Sequence, residues 1–198
     1  MKNPDKLVLR YIGLSVAALS LMCWAVQAQT SNKANKKMLE ELIRNVDVRV
    51  EDLSLPSQTQ SPQDIRVRWQ GEALTSPTGA AQRAIQPRGS FVALGRQAAS
   101  GSLPRQRAPE LSADQILVLA ITAEKQLSGW ALIPDPRILR AEFPDARGEL
   151  RGQIIYQPNV EFVVALPDDP AISELRFYHP RWTGKEFELD LIGAIQPQ

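Results

Sequence analysis

From Leu111 onward the chain alternates apolar and polar residues in short runs, each stopped by proline, glycine or aspartate. Side chains that alternate with period two lie on opposite faces of an extended strand, so each run predicts a strand with one wet and one dry face. In one run Val160, Phe162, Val164 and Leu166 share a side, and Pro167-Asp168-Asp169-Pro170 closes it. Leu175, Phe177 and His179 form the next, a reversal is expected over residues 180–185, and Phe187, Leu189 and Leu191 alternate with Glu186, Glu188 and Asp190 in the last. Earlier, residues 126–133 set Trp130 and Leu132 on one face before Pro134 and Pro136. Leu139, Ala141 and Phe143 alternate with charged residues up to a turn at Pro144, Asp145 and Gly148, and residues 150–156 follow, closed by Pro158 and Asn159.

Residues 116–123 break the pattern with a continuous apolar run. Such a run predicts a strand covered on both faces, with a short helix as the competing reading because Leu111, Ser112 and Asp114 precede it. The whole region holds about six strands at the spacing of a sandwich or small barrel. Its connections are too short for crossover helices, which makes the order antiparallel. The expected fold is therefore mainly β: an antiparallel β-sandwich, immunoglobulin-like or similar, although the Cys and Trp signature of true immunoglobulin domains is missing.

Upstream, Met38, Leu39, Leu42, Ile43 and Val46 fall on one helical face with Glu40, Glu41 and Arg44 opposite, and Asn35 is placed to cap the helix. Residues 29–45 thus read as a flexible arm and a short helix. Val46, Val48 and Val50 then alternate with Asp47, Arg49 and Glu51, and Ile65, Val67 and Trp69 alternate with Arg66, Arg68 and Gln70. These two runs, within residues 46–72, are expected to join the same β core. Residues 73–110 are rich in Pro, Gly, Ser and Arg with little periodicity, and read as a long irregular basic insertion, a linker or loop. Phe91, Val92 and Leu94 form a brief apolar island in it that could make a strand or dock on the domain.

The first 28 residues have the layout of an export signal. Lys2, Lys6 and Arg10 outweigh Asp5, residues 11–28 carry no charge, and Val26-Gln27-Ala28 supplies small residues before Gln29. Cleavage near Ala28/Gln29 would give a periplasmic or secreted protein; the alternative is an inner-membrane anchor formed by residues 7–28, whose uncharged run sits at the short limit for spanning a bilayer. Cys23 is the only cysteine and lies inside the apolar run, so a processed chain has no disulfide, thiolate metal site or cysteine nucleophile to call on. Processing removes three basic and one acidic side chain, turning 23 against 22 into 20 against 21, a formal net charge of −1. That balance gives no reason to expect nucleic acid as a partner.

No catalytic motif, metal motif or cofactor signature stands out. His179 is the single histidine, and a Ser-His-Asp triad would have to use it, but no G-x-S-x-G elbow is present. Asp135, Asp145, Asp168 and Asp169 sit in turns, without the spacing of a calcium loop. Glu186, Glu188 and Asp190 line one side of the last strand, at a separation a carboxylate pair could use, and equally as the wet face of that strand. The most informative residues are Arg176, Tyr178, Arg181 and Trp182: if Phe177 points inward, Tyr178 and Trp182 point outward beside two arginines, the residue types favoured at interfaces. Arg83, Arg88, Arg96, Arg105 and Arg107 form a second candidate, a basic strap for an anionic surface such as lipid headgroups, a polyanionic glycan or an acidic protein patch. The expected function is an exported, non-catalytic module that binds a protein or an envelope polymer, with possible membrane-surface contact. The competing readings are a small secreted hydrolase using His179 or a carboxylate pair, and a membrane-anchored envelope assembly factor.

Overall fold

The computed structural model describes residues 35–51, 61–71, 89–101, 103 and 110–197. The export segment 1–28, with its cleavage site, lies outside these residues, as do Arg83, Arg88, Arg105 and Arg107. Residues 35–44 form a helix, α1. Nine strands follow among the described residues: β1 (Pro62–Gly71), β2 (Gly89–Ala98), β3 (Gln115–Thr122), β4 (Leu127–Pro134), β5 (Ile138–Pro144), β6 (Leu150–Tyr156), β7 (Asn159–Pro167), β8 (Ile172–Trp182) and β9 (Phe187–Ile195). Every strand pairing is antiparallel. The orders are β2-β1-β7, β4-β3-β8-β9 and, as a separate hairpin, β5-β6.

The three-stranded and four-stranded sheets share one core. Ile65, Val67 and Trp69 of β1, Phe91 of β2, and Val164 and Leu166 of β7 pack against Ile116, Val118 and Ala120 of β3, Leu175 and Phe177 of β8, and Ile195 of β9. An aromatic cluster lies at its centre. Phe91 stacks on Phe177 with ring centroids 4.1 Å apart, Phe162 meets both edge-on at 6.2 and 6.4 Å, and Trp69 tilts against Phe91 at 4.7 Å. Offset and edge-on contacts of this kind suit the ring quadrupoles and add to the area they bury. The stack forces β9 close: a Cβ on Gly193 would stand 2.6 Å from Phe91 Cδ2, so only glycine fits there.

A second apolar layer covers the other side of the four-stranded sheet. Leu39 and Ile43 of α1 are fully buried against Leu117, Leu119 and Ile121 of β3, with Val48, Leu111, Trp130 and Tyr178 around them. β3 is thus enclosed by sheet on one face and helix on the other, which is why its sequence is apolar at every position from Ile116 to Ile121.

Two segments depart from the sequence expectation. Residues 89–98 are not part of an irregular linker: they form β2, paired with β1 from Gly71↔Gly89 to Gln63↔Ala98. Leu94 is left over where the register shifts, next to Gly95 at φ 152°, and this bulge resets the alternation that would have marked the strand. Residues 46–51 do not form a strand. Arg49 makes one isolated parallel bridge to Gln126, with Arg49 N–H donating to Lys125 O and Leu127 N–H donating to Arg49 O, both at 2.9 Å, while Val48 drops into the helix-side core.

The β5-β6 hairpin leaves the sheets between β4 and β7. Its root is a buried ion pair. Asp135 Oδ1 accepts from the Arg137 N–H and Nε at 2.9 Å each, and Oδ2 accepts from Nη2 at 2.7 Å. Both side chains are wholly enclosed, and the guanidinium lies over the Trp69 ring at 5.0 Å.

Candidate functional site

The alternation of β8 places Leu175 and Phe177 in the inter-sheet core and turns the residues between them toward the helix layer. Tyr178 is therefore 2% exposed rather than on the surface, because α1 covers the face that would otherwise meet water. Burial pushes its phenol up from the ordinary value, against the opposing hydrogen bond from Arg176. Arg176 lies close by, largely buried, and donates to Glu174 at 2.9 Å; that bond is the main reason its guanidinium holds its proton more tightly than usual. Tyr178 belongs to the packing beneath the helix, and Arg176 is tied to Glu174 beside it.

Arg181 and Trp182 are adjacent and so point to opposite sides of the hairpin. Arg181 faces across to β9, where Asp190 and Glu188 stand opposite His179 and itself. Its Nε donates to Asp190 at 2.8 Å and its Nη2 donates to Glu188. The hydrogen bond to Asp190 comes first among the causes that raise the guanidinium. Glu188 and Asp190 thus converge on one cation instead of flanking an open gap. Glu186 closes the β-turn: its carbonyl accepts from the Thr183 N–H and Oγ1, each at 2.9 Å.

Trp182, at the tip, is 53% exposed. Its indole rests on Phe187 of β9 with centroids 5.0 Å apart. Phe187 and Leu189 anchor this side of the hairpin to the helix-side core, so the indole stands on a firm base. The grouping of Trp182 with Phe187 follows from their pairing across the turn, which the Thr183-Gly184 reversal already hints at in sequence.

His179 is 8% exposed, and its Nε2 donates to the Ala113 carbonyl at 2.8 Å. Its Nδ1 is buried and has no hydrogen-bond partner. A triad base needs one ring nitrogen for the nucleophile and the other for a carboxylate. Here one nitrogen is engaged by a carbonyl and the other meets neither group. The turn carboxylates are engaged locally: Asp135 with Arg137, Asp145 with the N–H groups of Arg147 and Glu149 at 2.8 and 3.1 Å, and Asp169 with the Ala171 N–H at 2.9 Å. Among the described residues, no three His, Cys, Asp or Glu side chains gather around one point. Of the basic strap, Arg96 is seen exposed on β2, and the other four arginines lie outside the described residues.

Comparison with protein-family models, curated proteins and solved structures finds no match to this chain.

The buried Asp135–Arg137 pair and the exposed apolar hairpin beyond it were not expected from the sequence. The only local signal was Pro134-Asp135-Pro136-Arg137, which reads as an ordinary turn.

Proposed function

We propose that the chain is an exported, non-catalytic binding module, and that it takes a protein or an envelope polymer at the tip of the β8–β9 hairpin. One observation carries this reading: Trp182 presents about half of its surface to solvent while Phe187 holds the indole in place from below. A large aromatic side chain fixed before binding loses little conformational freedom on contact, which is the character of an interface anchor. Arg181 contributes less, because Glu188 and Asp190 already neutralise it.

The scaffold in this reading is an immunoglobulin-like sandwich. With the β5-β6 hairpin set aside, the four-stranded order β4-β3-β8-β9 corresponds to the C′-C-F-G sheet of that architecture. The other sheet differs in having its first strand, β1, at the centre rather than its second. Export rests on the charged, apolar and small-residue zones of residues 1–28, and the mass of the protein recovered from cells reads the cleavage position directly.

The test is Trp182→Ala, with crosslinking in the native compartment and recovery of the attached partner. Recovery should fall at least tenfold while unfolding is unchanged. Undiminished recovery would remove this tip as the binding surface.

A further inference from the structure

Among the described residues β5 pairs with β6 alone, and the hairpin joins neither of the two larger sheets. Leu139, Phe143, Leu150 and Ile154 on it are between 46% and 66% exposed. A two-stranded ribbon is marginal in water by itself, and its unpaired edge is a template for another strand.

The ladder shows what that edge offers. Asp145 N–H donates to Glu149 O at 2.8 Å, and Gln157 N–H donates to Arg137 O at 2.7 Å, both across the hairpin. Successive residues of an antiparallel strand turn their backbone groups alternately to either side. Leu139, Ala141 and Phe143 therefore face β6, while Ile138, Arg140, Glu142 and Pro144 face the open edge. The Ile138 N–H is held by Asp135 O at 3.1 Å, and Pro144 has no N–H to give. Among the described residues of this edge, only Arg140 and Glu142 present both an unpaired main-chain donor and an acceptor.

We propose that this edge pairs with the same edge of a second copy of the chain, antiparallel, about a two-fold axis at Ala141. In that register each Arg140 lies opposite the second copy's Glu142. The two pairs exchange four main-chain hydrogen bonds and set opposite charges side by side twice. On the other face each Leu139 meets the second copy's Phe143, closing an apolar band around the two Ala141 residues. The neighbouring registers are excluded by the same residues. Sliding by one two-residue step in one direction puts Arg140 against the second copy's Arg140, and in the other puts Glu142 against its Glu142 while spending a bond on Pro144. Arg140 already pairs with Asp114, but both are well exposed, and a surface pair of this kind is readily shared or exchanged. Residues 138–156 carry three arginines against three acidic residues, which favours a self-complementary neighbour over an anionic lipid surface.

The experiment is sedimentation equilibrium on protein purified after expression of the full chain. Wild type should show a reversible dimer. Glu142→Arg should weaken it about thirtyfold, since two attractive cross-strand pairs become repulsive. The double variant Arg140→Glu/Glu142→Arg should restore it, with circular dichroism confirming that both variants fold. At the axis the two Ala141 residues form a non-hydrogen-bonded pair, with Cα atoms about 4.5 Å apart, inside disulfide range. Ala141→Cys in a Cys23→Ser background should therefore give a covalent dimer on mild oxidation. A monomer at every concentration, a Glu142→Arg dimer as tight as wild type, or a folded charge-swap variant that stays monomeric would each overturn the proposal.

Discussion

Replacing Asp135 with alanine tests the hairpin root. The carboxylate accepts from the Arg137 N–H, Nε and Nη2 at 2.7–2.9 Å, and neither side chain has any exposed surface. Arg137 Nη1 has no other partner, and the Trp69 face at 5.0 Å is the remaining favourable contact. Removing one member of such a pair leaves a buried cation uncompensated, at a cost of about 3–5 kcal/mol. For a chain of this size that lowers the melting temperature by roughly 6–20 °C, at about 2–4 °C per kcal/mol. Replacing both members with apolar residues of similar volume, Asp135→Leu with Arg137→Met, should return stability to within about 1 kcal/mol of wild type or above it. Thermal and urea unfolding followed by circular dichroism measure all three proteins. A loss below about 1 kcal/mol for Asp135→Ala would show that water reaches the guanidinium, and the reasoning from burial would fail.

Phe91→Ala should cost about 3–5 kcal/mol in urea unfolding, because it opens a cavity between Trp69, Phe162 and Phe177. A loss under about 1 kcal/mol would mean that β2 is only loosely docked. Burial raises the phenols of Tyr156 and Tyr178, with the Asp135 charge a further cause at Tyr156. A folded value above the unfolded one of about 10 gives stability that is complete below pH 10 and is lost as pH rises through the folded values. Alkaline titration by ultraviolet absorbance should show two late phenols, one of which disappears in Tyr178→Phe; ionisation of both at the ordinary pH would contradict the enclosure of these rings.

Most strands after Leu111 were legible because apolar and polar residues alternate along them between proline, glycine or aspartate stops; β5 and β6 carry the same alternation although Leu139, Phe143, Leu150 and Ile154 stay exposed. β3 was legible for the opposite reason, since two covered faces leave no polar position from Ile116 to Ile121. β2 was not, because a bulge at Leu94-Gly95 and the small inward-facing Ala93 erase the period, and its place depends on Phe91 finding Phe177 far along the chain. Tyr178 was misplaced for a related reason. Sequence alternation assigns it to the face opposite Phe177 but cannot show that α1, more than a hundred residues earlier, has closed that face. Of the four residues expected to share a surface, Trp182 and Arg181 are exposed, the first resting on Phe187 and the second paired with Asp190 and Glu188. Tyr178 is buried beneath the helix, and Arg176 is largely buried beside Glu174.

The rung between Arg137 and Gln157 has an architectural consequence. Because the chain departs and returns at one hydrogen-bonded step, the packed sheets register everything between as if it were a single turn. Beyond this rung, the Arg140–Asp114 pair on the surface is a further tie between the arm and the body. The ribbon is thus an outgrowth of the body, entered and left at one point, rather than a member of either sheet.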